Sequence, residues 1–354
     1  MELIALCRAG FEKEVAAELS GHCSAMALSG YAKTQVNCGY VQFVFHNAEQ
    51  ARTFIESIPF RQMIFVRHWM LCSGVCADLG AEDRATPLVG QLKDVCESFG
   101  ITAFQSLGAI NLDTNDGKSL AKLAKGVIRH VERACSDMIE GQAAYEGQLL
   151  FLDGQSAFIG LSPRENCSLW EAGIPRLRLP KQAPSRATLK LEEAWHHFIP
   201  ANQWDRRLAP GMQAVDLGAA PGGWTWQLVR RSMFVTAVDN GPMAESLMDS
   251  GQVQHHQLDG FQFQPQKAVD WLVCDIADKP ARVASMIAQW AGERWFSEAV
   301  FNLKLPMKQR YQEVMRCKEK IEKRLESTGI GYELRFKQLY HDREEVTGHL
   351  VLKH

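Results

Sequence analysis

Residues 216–225 read DLGAAPGGWT, and this stretch decides the fold of the C-terminal half of the chain. An apolar pair, Ala214 and Val215, precedes the stretch, and the helix-forming run 227–230 follows it. The pattern therefore predicts a strand, a glycine-rich turn and the start of a helix. Glycines let the backbone approach a ligand closely, and the first N–H groups of a helix have no partner inside it. We infer that a nucleotide-like cofactor binds here, at a turn whose spacing is neither a dinucleotide fingerprint nor a Walker loop.

Strand and helix patterns alternate along the whole C-terminal half. The predicted strands cover residues 213–217, 234–239, 269–275, 299–304, 332–340 and 346–352. The predicted helices cover residues 225–231, 243–249, 281–290 and 307–327. This alternation predicts a mostly parallel α/β sheet with helices on both faces, and the short link before the last strand predicts that this strand is antiparallel. Ligands of such sheets bind at the carboxyl ends of the strands.

The N-terminal half has a different, α+β pattern. Helical patterns cover residues 11–19, 88–99 and 118–135, and strand patterns cover residues 40–45, 63–70, 149–152 and 157–161. We expect residues 1–171 to form a separate region, as one domain or as two small subdomains, and residues 185–354 to form a second domain. Residues 172–184 between them contain three prolines and no acidic residue, which predicts an extended basic linker.

Composition excludes several classes of protein. The chain has 354 residues, of which 46% are hydrophobic and 23% charged, and its net charge is −2, as in an ordinary soluble protein. Its first eight residues have a strand pattern and not that of a signal peptide, and no apolar run approaches the roughly 20 residues that span a bilayer. The ten cysteines include no Cys-x-x-Cys pair and no zinc-like spacing. We therefore expect a cytoplasmic monomer with reduced thiols, no metal and no membrane contact.

Two segments carry positive charge with few acidic residues nearby. On the helix predicted for residues 118–135, five cations recur at spacings of three and four and so share one face: Lys118, Lys122, Lys125, Arg129 and Arg133. The second segment contains Arg176, Arg178 and Arg186. Each segment has two interpretations, a solvated surface or a contact with RNA phosphates. We treat all of these residues except Arg133 as candidate RNA contacts.

Three motifs resemble those of S-adenosylmethionine-dependent methyltransferases. Residues 220–224 (APGGW) resemble the cofactor loop of the ribose 2′-O-methyltransferases. Residues 185–194 (SRATLKLEEA) resemble the Ser-Arg-x-x-x-Lys-Leu-x-Glu segment that opens their catalytic domain. Residues 342–346 (DREEV) resemble the Arg-Glu-Val entry to their last strand. The resemblance implies the class I methyltransferase fold, which is Rossmann-like, and S-adenosylmethionine as the cofactor.

Carried over residue by residue, the Lys-Asp-Lys-Glu tetrad of these enzymes falls on Lys190, Asp275, Lys304 and Glu345. The resemblance implies that Lys304 is the general base, that Asp275 orients its ammonium group and the substrate, and that the other two hold the ribose. A 2′-hydroxyl is a poor nucleophile until it loses its proton, and a lysine can accept that proton if burial or neighbouring cations lower its pKa. Asp275 and Lys304 end consecutive predicted strands, at the sheet edge where the glycine turn opens. Glu344 stays the alternative to Glu345, because the last motif contains two glutamates.

Further segments resemble the bacterial RlmM family along nearly the whole chain: residues 11–14, 173–177, 239–243 and 339–347. The resemblance implies 2′-O-methylation of a cytidine in 23S ribosomal RNA or its precursor, and a THUMP-type RNA-binding region over about residues 1–170. The implied cofactor contacts are Ala187, Thr188, Ala220, Pro221, Gly222, Gly223, Asp239, Asp259 and Asp275. Relatives carry a serine where this chain has Ala187, so a backbone contact survives there and a hydroxyl contact does not.

For two of these aspartates, the position in the sequence also supports a contact with the cofactor. Asp239 ends the second predicted strand about 20 residues after the glycine turn, where an acidic residue accepts ribose hydroxyls in dinucleotide folds. Asp259 lies in an Asp-Gly turn before the predicted strand 269–275, where it can accept an adenine amino group, although an Asp-Gly pair is also an ordinary turn.

Other classes of protein explain the sequence less well. A nicotinamide dehydrogenase leaves Lys190, Lys304 and Glu345 unexplained and needs a glycine fingerprint that this chain lacks. Amino-group methyltransferases carry an Asn/Asp-Pro-Pro-aromatic loop after the strand that corresponds to 269–275, where this chain reads CDIA at 274–277. Ring-carbon methylation needs a nucleophilic cysteine, and Cys274 lies inside an apolar strand. Two alternatives stay open: a 2′-O-methyltransferase acting on a different RNA, and a non-catalytic RNA-binding protein that retains the cofactor fold.

Overall fold

A computed structural model describes residues 1–353 of the chain. The chain divides into two compact units, Met1–Ile174 and Pro175–His354. Over residues 1–353, each unit contains one seven-stranded sheet. No helix within these residues is long and apolar enough to cross a membrane.

The N-terminal unit begins with six elements in the order βαββαβ. Its strands are β1 (Glu2–Leu6), β2 (Gly30–Thr34), β3 (Tyr40–Phe45), β4 (His68–Cys72), β5 (Leu107–Ile110), β6 (Tyr145–Phe151) and β7 (Ala157–Pro163). Its α-helices are α1 (Glu12–Ala25), α2 (Ala48–Ser57), α3 (Ala85–Phe99) and α4 (Asn115–Ala134). One sheet runs through the whole unit in the order β2-β3-β1-β4-β7-β6-β5. Its first four strands are antiparallel to their neighbours, which with the βαββαβ order is a ferredoxin-like arrangement.

The strand predicted for residues 63–70 is shorter in the structure and shifted along the chain. β4 begins only at His68, because the backbone N–H groups of Ile64 and Phe65 donate to the buried carboxylate of Glu18, at 2.5 and 3.0 Å. N–H groups that bond to a side chain are not available to a sheet ladder. The sequence pattern also misses β2, β5 and α2. Strand β2 is mostly exposed and therefore has no apolar alternation to detect.

The C-terminal unit alternates strands and helices. Its strands are β8 (Gln213–Leu217), β9 (Phe234–Val238), β10 (Val253–His256), β11 (Val269–Cys274), β12 (Phe296–Lys304), β13 (Tyr332–Lys337) and β14 (Glu345–Leu352). Its α-helices are α5 (Thr188–Phe198), α6 (Trp204–Arg207), α7 (Gly223–Arg230), α8 (Glu245–Met248), α9 (Pro280–Gly292) and α10 (Arg310–Thr328). The sheet order is β10-β9-β8-β11-β12-β14-β13, and the first five strands are parallel.

The predicted α/β fold, with a mostly parallel sheet and an antiparallel last strand, is confirmed. Strand β14 is antiparallel to both of its neighbours, β12 and β13. It lies one place inside the edge of the sheet, and β13 forms the edge itself. The burial of the two strands gives the reason: β14 is buried at all but one position, whereas β13 is half-exposed and takes the edge.

Helix α5 brings the first tetrad residue to the sheet. Leu191, Trp195 and Phe198 recur at helical spacing and are buried in the core of this unit. Trp195 packs edge-on against Trp271 of β11, with ring centroids 6.3 Å apart. This packing fixes the rotation of the helix, and Lys190 therefore projects from a defined position beside the strand ends.

Candidate active site

The glycine-rich turn joins β8 to α7 and approaches the end of β11 closely. Gly218 has a φ of +78°, and a Cβ there would lie 3.0 Å from the Ile276 side chain. Gly222 has a φ of +115°, and a Cβ there would lie 2.2 Å from the Leu247 side chain. The turn therefore needs glycine at both positions, for its backbone conformation and for space.

Asp239 ties this turn to the end of β9. Its Oδ2 accepts the Ala220 N–H at 3.1 Å, and its Oδ1 accepts the Gly241 N–H at 2.7 Å. Beside it lies a cavity of about 340 Å³, within the size range of small-molecule sites. The residues that line it follow strand ends: Gly218, Ala220, Val238, Asp239, Asn240, Leu258, Asp259, Gly260, Asp275, Ile276 and Ala277.

The structure brings four of the nine predicted cofactor contacts to this cavity: Ala220, Asp239, Asp259 and Asp275. Five others do not line it: Ala187, Thr188, Pro221, Gly222 and Gly223. Two of these residues hold the start of α5 against α7. The Ala187 carbonyl accepts the Trp224 indole N–H at 2.9 Å, and the Thr188 carbonyl accepts the Gln227 side-chain N–H at 3.2 Å. Their role as cofactor contacts stays a prediction.

Sequence reasoning missed seven lining residues: Gly218, Val238, Asn240, Leu258, Gly260, Ile276 and Ala277. A signal for them exists, because each lies within two residues of a predicted lining residue. Cofactors of parallel sheets contact the loops that follow the strands, so the neighbours of a predicted contact are themselves candidates.

Asp216 is a further acidic residue that sequence reasoning did not assign to the site. It is fully buried in β8, and its Oδ2 accepts the Thr225 hydroxyl at 2.6 Å. Its Oδ1 has no hydrogen-bond partner among the residues that the structure describes. Burial, helped by the nearby carboxylates of Asp275 and Asp239, raises the pKa of Asp216 to about 7, although the hydrogen bonds from Thr225 act in the opposite direction. The detectable signal is a polar residue inside an otherwise apolar strand.

Lys190, Asp275, Lys304 and Glu345 converge beside this cavity at the carboxyl edge of the sheet. Lys304 Nζ donates to Asp275 Oδ1 at 2.5 Å and also to Glu345 Oε2. Lys190 Nζ lies 3.4 Å from Asp275 Oδ2 and contacts Glu345 Oε1. Each lysine therefore contacts both carboxylates, and the four charges balance. Side-chain exposure is 7% at Glu345 and 30% at Lys304, so a ligand reaches Lys304 more easily.

The strand register explains how three of these side chains meet. Strands β12 and β14 pair with Lys304 directly opposite Glu345. Asp275 follows β11, which is the parallel neighbour of β12. Directly opposed residues of an antiparallel pair have Cβ atoms about 5 Å apart, within reach of an ion pair.

Glu344 lies outside this cluster. Its side chain is 62% exposed and pairs with Arg310 at 2.5 Å. Successive residues entering a strand point to opposite faces, so only one of the two glutamates can face the lysines. In the structure that residue is Glu345.

Two opposing effects act on the pKa of Lys304. Burial lowers its pKa, but the carboxylates of Asp275 and Glu345 outweigh burial and raise the pKa above its ordinary value. The protein groups around Lys304 therefore keep it protonated. A loss of its proton at neutral pH requires a further positive charge or stronger desolvation.

The segment before β14 is held by a buried carboxylate on α5. Glu193 accepts the backbone N–H groups of Tyr340 and His341 at 2.7 and 2.9 Å, and His341 Nδ1 lies 2.6 Å from the same carboxylate. Strand β13 consequently ends at Lys337, three residues earlier than the sequence pattern predicts. Since Glu193 lies one helical turn after Lys190, one helix holds both the lysine and the loop that leads to Glu345.

The candidate RNA contacts are all exposed. In α4, Ala124, Ile128 and Val131 are buried, whereas the five cations of the predicted stripe lie on the exposed face. One of them, Lys118, pairs with Asp113 at 3.3 Å. Arg176, Arg178 and Arg186 are also exposed. Exposure is compatible with both interpretations, so their contact with RNA stays a prediction.

The rival chemistry at Cys274 has no support in the structure. Cys274 is fully buried, and burial raises the pKa of its thiol to about 12, so it does not supply a thiolate at neutral pH. Within residues 1–353, no group of three or more His, Cys, Asp or Glu side chains could hold a metal ion.

Comparison with known proteins identifies the family. The RlmM ferredoxin-like domain matches residues 1–70, and the FtsJ-like methyltransferase matches residues 183–322. The ribosomal RNA large subunit methyltransferase M of Teredinibacter turnerae is 58% identical over 353 residues, which cover 100% of each chain. The chain belongs to the RlmM family. A second RlmM relative, from Saccharophagus degradans, is 56% identical over 354 residues and covers 99% of this chain and 100% of its own.

A solved structure adds little to the RlmM assignment. TrmN from Thermus thermophilus is similar over 100% of this chain and 99% of its own, with 15% identity and a TM-score of 0.35. We base no inference on a likeness at that TM-score.

The family matches confirm the predicted cofactor and leave the predicted type of the N-terminal region unconfirmed. The FtsJ-like match confirms S-adenosylmethionine as the cofactor of this RlmM chain. The N-terminal match is described as ferredoxin-like, in agreement with the strand order, and the THUMP-type description of this region is not confirmed.

The cavity residues fit the chemistry of this cofactor. Asp239, Asp259 and Asp275 supply carboxylates, which suit ribose hydroxyls, an amino group and a sulfonium cation. Val238 and Ile276 add apolar surface at the strand ends. The unpartnered Oδ1 of buried Asp216 adds further negative potential below the turn whenever that residue is ionised.

Proposed function

We propose that this chain transfers a methyl group from S-adenosylmethionine to the ribose 2′-hydroxyl of a cytidine in 23S ribosomal RNA, and that Lys304 accepts the hydroxyl proton. The observation that carries the proposal is the contact of each lysine with both carboxylates next to the cofactor cavity. The RlmM relatives are named as ribosomal RNA large subunit methyltransferases, which supports the substrate class.

The cofactor half of the site is made by strand ends. We infer that Asp239 accepts the ribose hydroxyls, because it is already fixed by the Ala220 and Gly241 N–H groups. We assign Asp259, which also lines the cavity, to the adenine amino group. When bound, S-adenosylmethionine supplies an electrophilic methyl group on a positively charged sulfur.

The substrate half of the site is the tetrad. Lys304 is the most exposed member and so the one we assign to the 2′-hydroxyl. Asp275 holds the ammonium group of Lys304 in a fixed direction through its Oδ1. Lys190 and Glu345 complete the charge balance and hold the ribose.

The pKa of Lys304 sets the order of events in this proposal. Asp275 and Glu345 keep Lys304 protonated while only protein groups surround it. A sulfonium cation in the neighbouring cavity and the exclusion of water by RNA both lower the pKa of a lysine. In the assembled complex Lys304 would therefore give its own proton to solvent, and its neutral Nζ would then accept the proton of the 2′-hydroxyl as that oxygen takes the methyl group.

We assign RNA binding outside the catalytic centre to the exposed cations. On α4 these are Lys118, Lys122, Lys125 and Arg129, and in the C-terminal unit they are Arg176, Arg178 and Arg186. The argument is their one-sided charge on exposed surface, which suits phosphate contacts. The N-terminal region then acts as an RNA-binding region with a ferredoxin-like start.

Methyl transfer to unmodified RNA tests the function. Ribosomal RNA from cells that lack the protein is incubated with labelled S-adenosylmethionine, and the labelled nucleotide is mapped. We expect one 2′-O-methylcytidine in 23S RNA. Label in another RNA would replace the substrate assignment, label on a base would refute ribose chemistry, and no label would favour a non-catalytic RNA-binding protein.

A further inference from the structure

A row of buried polar side chains lies behind the tetrad. Asn302 of β12, Thr347 of β14 and Asp342 of the preceding loop are all 0% exposed. Buried polar groups cost free energy unless they are hydrogen-bonded, and apolar side chains at these positions would avoid that cost. The presence of three of them in contact calls for an explanation beyond packing.

The three side chains form a chain of contacts that ends on the tetrad. Asn302 Nδ2 donates to Asp275 Oδ1 at 3.0 Å. Thr347 Oγ1 lies 2.8 Å from Asn302 Oδ1, and it lies 3.0 and 3.3 Å from the two carboxyl oxygens of Asp342. Asp275 Oδ1 is the same oxygen that accepts the Lys304 ammonium group.

The strand register places part of this chain of hydrogen bonds next to the pair formed by Lys304 and Glu345. Asn302 lies directly opposite Thr347, just as Lys304 lies opposite Glu345 two residues further along. Residues two apart on a strand share a face, so both pairs project from the same side of the sheet.

The number of available protons fixes the direction of each hydrogen bond. Asp275 contacts two lysines and is therefore a carboxylate that only accepts, so the amide nitrogen of Asn302 faces it. The amide oxygen of Asn302 then faces Thr347 and takes its single hydroxyl proton. Thr347 Oγ1 then has only lone pairs left for Asp342, so an unbroken chain of hydrogen bonds needs a proton on the Asp342 carboxyl group.

The surroundings of Asp342 favour that protonated form. Burial raises its pKa well above the ordinary value, and the carboxylate of Glu345 raises it further. Glu193 on α5 acts in the same direction, whereas the Leu339 N–H, which donates to Asp342 at 2.9 Å, and the Lys190 ammonium lower the pKa.

We propose that Asn302, Thr347 and Asp342 are positioning residues, which orient the Asp275 carboxylate toward Lys304 through a hydrogen-bond chain that begins at a neutral Asp342. The proposal rests on the proposed function of the tetrad. A neutral Asp342 also leaves the tetrad with two positive and two negative charges. A third carboxylate would raise the pKa of Lys304 further and hold that lysine in its protonated form, which cannot accept the hydroxyl proton.

Two substitutions at Thr347 separate positioning from packing. Thr347→Val keeps the shape and removes the hydroxyl, whereas Thr347→Ser keeps the hydroxyl and removes a methyl group. We expect Thr347→Val to lower kcat about tenfold, with the KM for RNA and the Kd of S-adenosylmethionine within twofold, and Thr347→Ser to retain most of kcat. The reverse order, with Ser worse than Val, would make Thr347 a packing residue and overturn the proposal.

Thermal unfolding of Asp342→Asn tests the protonation of Asp342 without any RNA. When folding raises the pKa of a carboxyl group, the folded protein loses stability as pH rises from the pKa of that group in the unfolded state to its pKa in the folded state. Asparagine cannot ionise and still donates to Thr347, so the Tm of Asp342→Asn minus that of wild type should rise from pH 5 to pH 8. His341, Glu193, Glu345 and Lys190 also face this residue, but they are present in both proteins and cancel in the difference. A difference that becomes more negative at pH 8 would mean an ionised Asp342.

These two experiments fail separately from the proposed function. If wild type methylates no ribose, the proposed function is wrong, and the Tm comparison still decides whether Asp342 is neutral. If wild type is active and Thr347→Val keeps full kcat, the positioning chain is refuted while the function stands.

Discussion

Lys304 and Glu345 lie directly opposite each other in the antiparallel pair of β12 and β14, and their side chains are in contact. The sheet itself therefore fixes the distance between a base candidate and a carboxylate. Because both residues also lie at strand ends beside the cofactor cavity, the charged cluster and the methyl donor meet at one edge.

The role of Lys304 predicts a loss of rate without a loss of cofactor binding. We expect Lys304→Ala to lower the methylation rate at least a hundredfold, in the range of general base catalysis, with the Kd of S-adenosylmethionine within about threefold. Single-turnover kinetics and calorimetric titration measure the two quantities. Lys323→Ala, an exposed lysine on α10, is the control. Equal labelling of RNA by Lys304→Ala and wild type would end its assignment as base.

A substitution at Asp239 should instead weaken the binding of the cofactor. Asp239→Ala removes an acceptor for the ribose and two hydrogen bonds that hold the turn. A hydrogen bond to a charged group contributes about 1.5–3 kcal/mol, so we expect the Kd of S-adenosylmethionine to rise about 10- to 100-fold. Asp249→Ala, on exposed surface after α8, is the matched control. Tighter cofactor binding by Asp239→Ala than by Lys304→Ala would reverse the division of roles.

Asp216 predicts proton release when the cofactor binds. Its pKa is raised to about 7, and it interacts with Asp275 and Asp239, which line the cavity. A sulfonium cation there lowers this pKa, so at pH 7 binding should release up to about half a proton, and affinity should increase as pH rises through 7. Calorimetry in buffers of different ionisation enthalpy measures the release. We expect less release with S-adenosylhomocysteine, which has no charge on sulfur, and none with Asp216→Asn. Equal release by both ligands would show that another group titrates.

The adjacent glutamates offer a matched pair of substitutions. Glu345→Gln removes a negative charge that contacts both lysines, whereas Glu344→Gln removes one that pairs only with Arg310 at the surface. We expect Glu345→Gln to lower kcat at least tenfold. It should also shift the pH–rate profile to lower pH, because the loss of one of the two carboxylates that raise the pKa of Lys304 lowers that pKa. Glu344→Gln should change neither by more than twofold. The opposite result would make Glu344 the tetrad member.

The stripe on α4 predicts the salt dependence of RNA binding. Reversing Lys118, Lys122 and Lys125 to glutamate should weaken RNA binding and reduce the slope of log Kd against log salt concentration by about 2 to 3, if each contacts one phosphate. Three exposed cations elsewhere in the same unit, Lys13, Arg61 and Lys93, give a control with the same change in net charge. An unchanged slope, or an equal change in the control, would mean that the cations of α4 form a solvated surface and do not contact RNA.

The sequence predicted the elements that carry a local signal. The strand, turn and helix at residues 213–230 were recognisable because glycine, apolar runs and helical spacing act over a few residues. Strands with little apolar alternation were missed, such as β10, which reads VQHH. The predicted strand at 63–70 was wrong at its start because Glu18, distant in sequence, takes the N–H groups of Ile64 and Phe65.

By itself, the sequence determined that a cofactor turn, a lysine and an aspartate share the carboxyl edge of an α/β sheet, since the ends of parallel strands follow from local pattern. Only the tertiary structure decided which glutamate meets the lysines, that burial raises the pKa of Asp216, and that Asp342 is linked to Asp275 through two other side chains. The physical reason is that charge, burial and hydrogen bonding depend on neighbours far apart in the chain. Those neighbours exist only once the strands have paired.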